Sequence, residues 1–275
     1  MLPACVPPSS PAEPPVWRPS IVRAALVSLL TLASLLITAI GLMAAGGMPQ
    51  RAEHASVVQH GARSGATSAM LMYSANWSGY ASTQPGTTAV SGTWNVPSVR
   101  ASRRATYSSV WVGIGGLTSG DLIQAGTESD FSGGHAIYYA WIEALPAETI
   151  TVTRLPIHPG NIVSASITYR GGSRWMVTLR NLTTGRAYTR ILRYRSSFSS
   201  AEWIEEAPLR GSSVLPLASS SALHFRNVHF TVRGRVSTLA GHHLARLLLV
   251  DSGGYVELTP SVLSRAGAAF TIWRD

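Results

Sequence analysis

The amino-acid sequence predicts an all-β protein in which two antiparallel sheets pack as a β-sandwich, preceded by one hydrophobic helix near the N-terminus. Three observations support this prediction. Short segments of alternating apolar and polar residues recur along the chain, turns rich in Gly, Pro, Ser and Asn separate them, and no long segment has the period of an amphipathic helix. Such a series of short strands is typical of a sandwich, in which alternate residues face the core.

Residues 1–46 have the features of a targeting segment. Arg18 and Arg23 precede an apolar run, 24–46, that is long enough to cross a bilayer as a helix. Positive charge before such a run favours a cytoplasmic N-terminus, so we assign 1–23 as a cytoplasmic tail and 24–46 as a signal or signal-anchor helix. The sequence leaves open whether this helix is removed or stays as a membrane anchor. We therefore expect an exported protein, either extracellular or at the cell surface.

The region 47–73 is rich in Ala, Ser, Gly and Gln without sustained periodicity, which indicates a linker or a removable pro-segment. The remaining region, 74–275, is the predicted sandwich domain. Two alternating runs flank Gly171 and Gly172 and predict a hairpin. The stretch 240–249 is the best candidate for a helix, and it is short. Predicted strands cover 89–96, 108–114, 137–142, 163–169, 175–179, 187–194, 229–232, 247–250 and 270–273.

Composition excludes several classes of function. The 22 basic residues are all arginine and give a net charge of +9, which raises the question of nucleic-acid binding. These arginines are scattered singly, and the tightest group is Arg100, Arg103 and Arg104, so no nucleic-acid partner is predicted. The single cysteine, Cys5, precedes the hydrophobic segment. The exported domain therefore has no thiol nucleophile and no disulfide.

Other common hydrolytic sites have no clear signature in the sequence. No Gly-x-Ser-x-Gly elbow is present, so nothing identifies a serine nucleophile. Asp251 begins the only Asp-Ser-Gly loop, and without a second such loop it indicates a turn. His242 and His243 are adjacent and would point to opposite faces of a strand, so no metal site is predicted.

Acidic side chains gather beside aromatic ones at two places. Glu202, Glu205 and Glu206 surround a Trp-Ile pair, and Glu143 lies between Trp141 and Leu145. In a partly buried cleft, a carboxyl group acquires a raised pKa and can serve as a general base or acid. On clustering alone, these acids could equally well solvate strand edges.

Six separated segments resemble segments of the glutamic peptidases, the eqolisin family, and occur in the family's order across most of 76–275. Any one of them is weak evidence, whereas the ordered set is specific. The segments are Asn76-Trp77-Ser78-Gly79-Tyr80, Trp111-Val112-Gly113-Ile114-Gly115-Gly116, Leu122-Ile123-Gln124-Ala125-Gly126, Tyr139-Ala140-Trp141-Ile142-Glu143, Asn181-Leu182-Thr183-Thr184-Gly185 and Ala201-Glu202-Trp203-Ile204-Glu205-Glu206. The family's fold is a concanavalin A-like sandwich of two antiparallel sheets, which agrees with the strand pattern.

The resemblance implies an acid endopeptidase with Gln124 and Glu206 as its catalytic pair. Glu206 would act as general base and then as general acid for the attacking water, while Gln124 positions the water and stabilises the oxyanion. An unperturbed glutamate titrates near pH 4, so activity at about pH 3 to 5 is expected. Residues two apart share a strand face, which favours Glu206 over Glu205, although Glu205 and Glu202 remain rivals. Protein or peptide substrates, no cofactor or metal, and a monomer are expected.

By the same resemblance, Trp111, Trp141 and Glu143 would line the substrate groove, although each tryptophan could equally be a core residue. The chain departs from the family in three ways. Gly115 and Leu145 replace an aspartate and a tyrosine, and the disulfide cysteines are absent, as in a bacterial-type member. These departures bear on subsite specificity and acid stability. The alternatives are a lectin-like carbohydrate-binding sandwich and a catalytically inactive surface protein, because an aromatic groove would suit either.

Overall fold

Alternation of apolar and polar residues continues along most of the chain, and in the computed structural model, which describes residues 69–275, this stretch forms β-strands without any helix. The predicted segments 1–23 and 24–46 and most of 47–73 lie outside the described residues. The strands are β1 (Ala69–Ser74), β2 (Trp77–Ser82), β3 (Thr87–Asn95), β4 (Ser109–Gly115), β5 (Leu122–Ser132), β6 (His135–Ala144), β7 (Ile150–Thr151), β8 (Ile162–Tyr169), β9 (Arg174–Asn181), β10 (Arg186–Arg193), β11 (Ala201–Glu206), β12 (Leu209–Arg210), β13 (Ser213–Val214), β14 (Leu223–Val232), β15 (Arg235–Ser237), β16 (Leu244–Val250), β17 (Val256–Pro260) and β18 (Ala269–Arg274).

The strands build two facing layers. The first layer has the order β10-β9-β8-β3-β14, and the second has the order β17-β16-β2-β11-β4-β5-β6-β7. Strands of different layers, such as β3 and β4 or β5 and β8, approach each other without sharing a ladder of hydrogen bonds. The predicted β-sandwich is confirmed.

The hydrogen-bonded path between the layers is continuous through the last strand. β18 pairs with β14 of the first layer along Ala269–Ile272 and with β17 of the second along Ile272–Arg274. Pairing is antiparallel throughout the two layers, and the exception is β1, which runs parallel to β16 at the edge of the second layer. The sandwich is therefore one folded ribbon rather than two separate sheets.

Large aromatic side chains fill the space between the layers. Trp94, Trp175 and Trp203 are fully buried there together with Phe225 and Phe230. Each indole N–H has an acceptor: Trp94 donates to the Thr127 hydroxyl at 3.0 Å, Trp175 to a backbone carbonyl at 3.2 Å, and Trp203 to another at 2.8 Å. Because these donors are satisfied, the rings contribute their apolar area to stability without the cost of an unpaired polar group.

The predicted strands are confirmed, including the hairpin at Gly171 and its continuation into β10. The candidate helix at 240–249 is wrong, because this stretch turns and then forms β16 from Leu244 onward. Leu244, Leu247 and Leu249 are buried in this strand, which has partners along both edges. An internal strand carries few polar residues, so its pattern can be mistaken for that of a short buried helix.

The folded region begins earlier than the sequence indicates. Residues 69–73, assigned to the linker, belong to β1 and pair with β16 from Ala69 onward. This segment reads Ala-Met-Leu-Met-Tyr, and all but one of its side chains are partly buried. It lacks a polar alternation, which is why the pattern did not mark it as a strand.

Two glycines in the second layer make room for an indole ring. A Cβ atom at Gly113 would lie 2.8 Å from the ring of Trp111, and one at Gly126 would lie 2.7 Å from the Cβ of Trp111 and 2.3 Å from the carbonyl oxygen of Val110. All three distances are shorter than a normal van der Waals contact. Any side chain at these positions must push Trp111 or the neighbouring strand aside.

We expect Gly126→Ala to destabilise the protein by about 1–3 kcal/mol, since an overpacked core must shift backbone or side chains to admit the methyl group. Denaturant unfolding followed by circular dichroism measures this loss. Gly120→Ala is the matched control, because a Cβ at Gly120 meets nothing within 4 Å. Equal midpoints for the two variants would show that the space around Gly126 is not restrictive.

Candidate active site

The outer face of the second layer carries a small cluster of apolar residues, separate from the core between the layers. We call this surface the site face. Cross-strand pairing places Ile204 of β11, Trp111 of β4, Gly126 of β5 and Trp141 of β6 side by side. The buried members of the cluster are Ala81, Trp111, Leu122, Trp141, Ile204, Ala245 and Leu247. Residues two positions before or after these in each strand share the same face.

Glu206 lies at the end of β11 on the site face, opposite Trp77 of β2 and Ser109 of β4. Both of its carboxyl oxygens are held. The Asn76 side-chain amide donates to Oε1 at 3.0 Å, and the Trp111 indole N–H donates to Oε2 at 2.7 Å. Trp77 packs edge-on against Trp111 with ring centroids 5.0 Å apart. The carboxyl group is thus fixed by Asn76, which lies just before β2, and by Trp111 of β4, while Glu206 as a whole remains partly exposed.

Burial raises the pKa of Glu206 to about 7, and the nearby Glu143 carboxylate adds to this effect. Hydrogen bonds from Trp111, Trp77 and Asn76 favour the ionised form and lower the pKa, but burial outweighs them. This value agrees with the raised pKa expected for a carboxyl in a partly buried cleft and lies above the ordinary value from which activity at about pH 3 to 5 was expected. A group whose pKa lies near neutrality can both accept and return a proton under mild conditions.

Gln124 is buried in β5 on the same face, paired across the strands with Gly113 and Glu143. Its Nε2 donates to Glu143 Oε2 at 2.6 Å, and the Thr149 hydroxyl donates to the other oxygen of Glu143. This bond fixes which way the amide points. Gln124 Oε1 is left buried without a hydrogen-bond partner among the described residues. An unsatisfied buried acceptor at the site face is a ready position for a water molecule or a substrate group.

Gln124 and Glu206 lie on the two strands that flank β4. Glu206 pairs with Ser109 and Gln124 with Gly113, so their partners lie four positions apart in β4, with Trp111 midway between them. No hydrogen bond joins the two side chains directly. They belong to one site, however, because the Glu143 that holds Gln124 is close enough to raise the pKa of Glu206.

The two rival glutamates occupy different environments. Glu205 is 2% exposed, lies in the same strand beside the core residue Trp203, and accepts a hydrogen bond from the Ser108 hydroxyl at 3.2 Å. Glu202 pairs with Gly113 and is fully buried, with neither carboxyl oxygen hydrogen-bonded among the described residues. Burial raises the pKa of Glu205 to about 7 and that of Glu202 well above its ordinary value. Among the three, only Glu206 is partly exposed to solvent.

A further acidic pair lies beside Glu206 on the site face. Glu128 of β5 faces Ser109, which in turn faces Glu206, and Asp130 follows two residues later on the same strand. Burial raises the pKa of Glu128 well above its ordinary value, and the charges of Asp130 and Glu206 raise it further. Burial also raises the pKa of Asp130 to about 7. The search for acids clustered in the sequence did not identify this pair, because Glu128 and Asp130 are far along the chain from the cluster that contains Glu206.

The predicted groove residues are present but differ in their exposure. Trp111 is fully buried and Trp141 is 5% exposed, so neither presents an open ring face on which a sugar could stack. The lectin-like alternative depended on an exposed aromatic ring for sugar stacking, and neither tryptophan provides one. The indole N–H of Trp141 is buried without a partner among the described residues. Glu143 holds Gln124 and Thr149, which makes it a positioning residue for the glutamine.

Gly115 and Leu145, two of the three departures from the family pattern, have different structural settings. Gly115 has φ +88°, and a Cβ there would lie 2.4 Å from the carbonyl oxygen of Asp121, so this backbone does not accept an aspartate. The Asp121 carboxyl lies 3.1 Å from the same point, which leaves an acidic group in the neighbourhood. Leu145 is 36% exposed at the end of the strand that carries Glu143.

Sequence reasoning identified the acids but missed the residues that hold them. Asn76, Trp77 and Thr149 were not predicted to act in the site, although Asn76 and Trp77 open the first family-like segment. Their roles depend on contacts such as that between Asn76 and Glu206, which are 130 residues apart. Within residues 69–275 there is no cluster of three or more metal-binding side chains and no helix long and apolar enough to span a bilayer.

Comparison with known proteins supports the resemblance. The family model described as the Peptidase A4 family matches residues 75–267. Aspergillopepsin-2 of Aspergillus niger is 27% identical over 214 residues, covering 69% of this chain and 75% of that protein. Crystal structures of scytalido-glutamic peptidase with a transition-state analogue and of SCP-B, an eqolisin, with a tripeptide are each 25% identical. They superpose with TM-scores of 0.63 and 0.58, covering 73% of this chain and 98% of theirs.

We expect the protein to lose stability as pH rises from about 4.5 to 7. A buried carboxyl with a raised pKa stabilises the folded state when it is protonated. Its contribution to the free energy of unfolding is complete below its ordinary pKa and is lost as the pH rises through the raised pKa. Asp130, Glu205 and Glu206 all reach about 7. Thermal unfolding measured at intervals between these pH values should show a falling midpoint, and a midpoint that rises would contradict the assignment.

Glu205→Gln should reduce this dependence on pH, because the amide cannot ionise in its buried position. A shift from 4.5 to about 7 corresponds to about 3 kcal/mol at neutral pH. Glu148→Gln, at an exposed loop position, is the control and should leave the slope unchanged. If both variants retain the slope of the parent protein, Glu205 does not contribute to it.

Proposed function

The chain belongs to the Peptidase A4 family and is a glutamic endopeptidase, and we propose that Glu206 and Gln124 together carry out its hydrolysis of peptide bonds. One observation carries the proposal. A partly exposed carboxyl held by Asn76 and Trp111 shares the site face with a buried glutamine whose Oε1 is unpartnered among the described residues. Protein or peptide substrates follow from the family.

Glu206 begins the reaction as a general base. Its carboxylate takes a proton from a water molecule while the water oxygen attacks the carbonyl carbon of the scissile bond. The hydrogen bonds from Asn76 and Trp111 fix the carboxyl plane, so little reorganisation is needed as the proton moves. The carbonyl π-bond opens and places negative charge on the former carbonyl oxygen.

Gln124 serves both the water and the oxyanion. Its unpartnered Oε1 accepts a hydrogen bond from the water, and the Nε2 hydrogen not donated to Glu143 is free to donate to the oxyanion. The carbon–nitrogen bond then breaks, and Glu206 returns its proton to the leaving nitrogen. Carboxylic acid and amine products result, and Glu206 is again ionised. The proposal uses no group beyond the side chains described and one water molecule.

The tripeptide bound to SCP-B supports a peptide as the ligand of this fold. Trp111 lies between the strands that carry the two proposed catalytic side chains, and a peptide that reaches both of them would cross the site face above this buried ring. Glu202 and Glu205 are poorer bases for this role, because both are buried and a water molecule held between base and substrate needs access.

Glu206→Gln should lower kcat/KM by about 10²–10⁴-fold, since the amide cannot take up the proton. Gln124→Ala should lower it by about 10²–10³-fold through loss of oxyanion stabilisation. Hydrolysis of a denatured protein, followed by release of new amino termini, measures both. Glu205→Gln is the matched control and should retain most of the activity. If Glu205→Gln is inactive while folded and Glu206→Gln is active, the catalytic assignment is wrong.

The pH dependence tests the order of proton transfers. With Glu206 ionising at about 7, kcat/KM should fall roughly tenfold for each pH unit below that value. Initial rates should be measured between about pH 3 and 6, where the fold is expected to be stable. A rate that is constant or increases towards pH 3 would contradict a mechanism that starts from a base ionising at about 7.

A further inference from the structure

Charge is distributed unequally between the two layers. Strands β3, β8, β9, β10 and β14 of the first layer contain no aspartate or glutamate. The same strands carry six arginines, two in β9, three in β10 and one in β14. The buried acids of the site all lie in β5, β6 and β11 of the second layer. The first layer therefore presents positive charge without local compensation.

The outer face of this layer contains a concave pocket of about 200 Å³. We call it the hydroxyl pocket. Side chains at alternate positions of the strands point into it, because the intervening residues face the core. It is lined by Ser91, Gly92, Thr93, Ser164, Ala165, Ser166, Thr178, Arg180, Asn227 and His229. The volume is below that of drug-sized sites, so a small ligand fits best.

Most hydroxyls of the pocket have no partner in the protein. Thr178 and Thr189 bond to each other at 3.0 Å. The hydroxyls of Ser91, Thr93, Ser164 and Ser166 make no hydrogen bond to any other described residue. Thr93 is only 9% exposed. These hydroxyls line the pocket and are available as donors to a ligand bound there.

Arg180 supplies the cation of the pocket. Within residues 69–275 the recorded ion pair joins Arg274 to Glu257, so Arg180 has no acidic partner in the described chain. It lies in β9 opposite Ser164 of β8, which places the guanidinium beside the hydroxyls. Uncompensated arginine next to unpaired hydroxyls is the donor set with which proteins bind oxyanions.

A bulge shapes the open side of the pocket. The register between β3 and β14 shifts between Arg226 and His229, and Asn227 within the bulge has φ +50°. A ring nitrogen of His229 lies 2.9 Å from the carbonyl oxygen of Asn227. Bulges redirect side chains, and here the bulge places Asn227 in the lining of the pocket together with Arg180.

We propose that the hydroxyl pocket is a binding site for a tetrahedral oxyanion, a sulfate or phosphate group, with Arg180 as its counter-ion and the Thr93 hydroxyl as one of its donors. Neutral sugars suit the pocket less well, because no aromatic side chain lines it as a stacking platform. The site lies on the opposite outer face of the sandwich from Glu206. The proposal is therefore independent of the proposed catalytic mechanism.

Isothermal titration calorimetry on the folded protein at about pH 5, where the buried carboxyls favour the fold, tests the proposal. Sodium sulfate and sodium phosphate are titrated at constant ionic strength, with sodium chloride as the reference anion. Glucose 6-phosphate forms a separate arm. Binding of the inorganic ions alone would identify a free oxyanion as the ligand, and additional binding of the ester would identify a phosphorylated small molecule.

Arg180→Gln should weaken binding at least about tenfold, and Thr93→Val should weaken it to a smaller extent. Arg193→Gln is the matched control. It removes an exposed arginine from the same outer face, outside the pocket, and should change the affinity less than about twofold. Unliganded thermal midpoints show whether each variant remains folded, and peptidase activity should be unchanged in all three.

Two results would overturn the proposal. The first is sulfate and phosphate binding no tighter than chloride. The second is an equal loss of affinity in Arg180→Gln and Arg193→Gln, which would mean that the basic face attracts anions through its overall charge and that the pocket has no specific role.

Discussion

The hydrogen bond from the Trp111 indole to Glu206 depends on the architecture of the entire second layer. Its donor comes from β4 and its acceptor from β11, while Asn76, just before β2, holds the other carboxyl oxygen. The ring can lie across the face only because Gly113 and Gly126 have no side chains. Three strands distant in sequence must therefore be in register before one carboxyl group is oriented, and a slip of one residue would turn Trp111 into the core.

Burial of acids connects catalysis with stability, and the two respond to pH in opposite directions. In the proposed mechanism Glu206 must be ionised to act as a base, whereas Glu205 and Asp130 stabilise the fold when they are protonated. The same low-polarity surroundings raise the pKa of all three. The pH range in which such a protein is both folded and active depends on how strongly each carboxyl is desolvated and on how many hydrogen-bond donors it retains. The pKa of an unperturbed glutamate does not predict this range.

The alternation of apolar and polar residues predicted the strands that have one apolar and one polar face. It did not predict the strands whose two faces are both largely apolar. β8 and β9 alternate cleanly because one side faces the core and the other faces water. β16 is apolar along most of its length, and β1 contains few polar residues, so neither strand could be recognised by alternation. Gln124 and Glu206 were selected by resemblance to a family. The pKa of Glu206 could not be predicted, because it is set by Trp111, 95 residues away in the chain, and by burial.

The position of β18 has a consequence for the order in which the chain can fold. This strand links the two layers, and it follows all their other strands in the chain. β1, the first strand described, likewise waits for β16 near the other end. Contacts of such long sequence separation form late, because the intervening loop must be closed first. A growing chain can thus assemble local hairpins such as β8–β9–β10, but the hydrogen-bonded link between the two layers can form only after residues 269–274 have been synthesised.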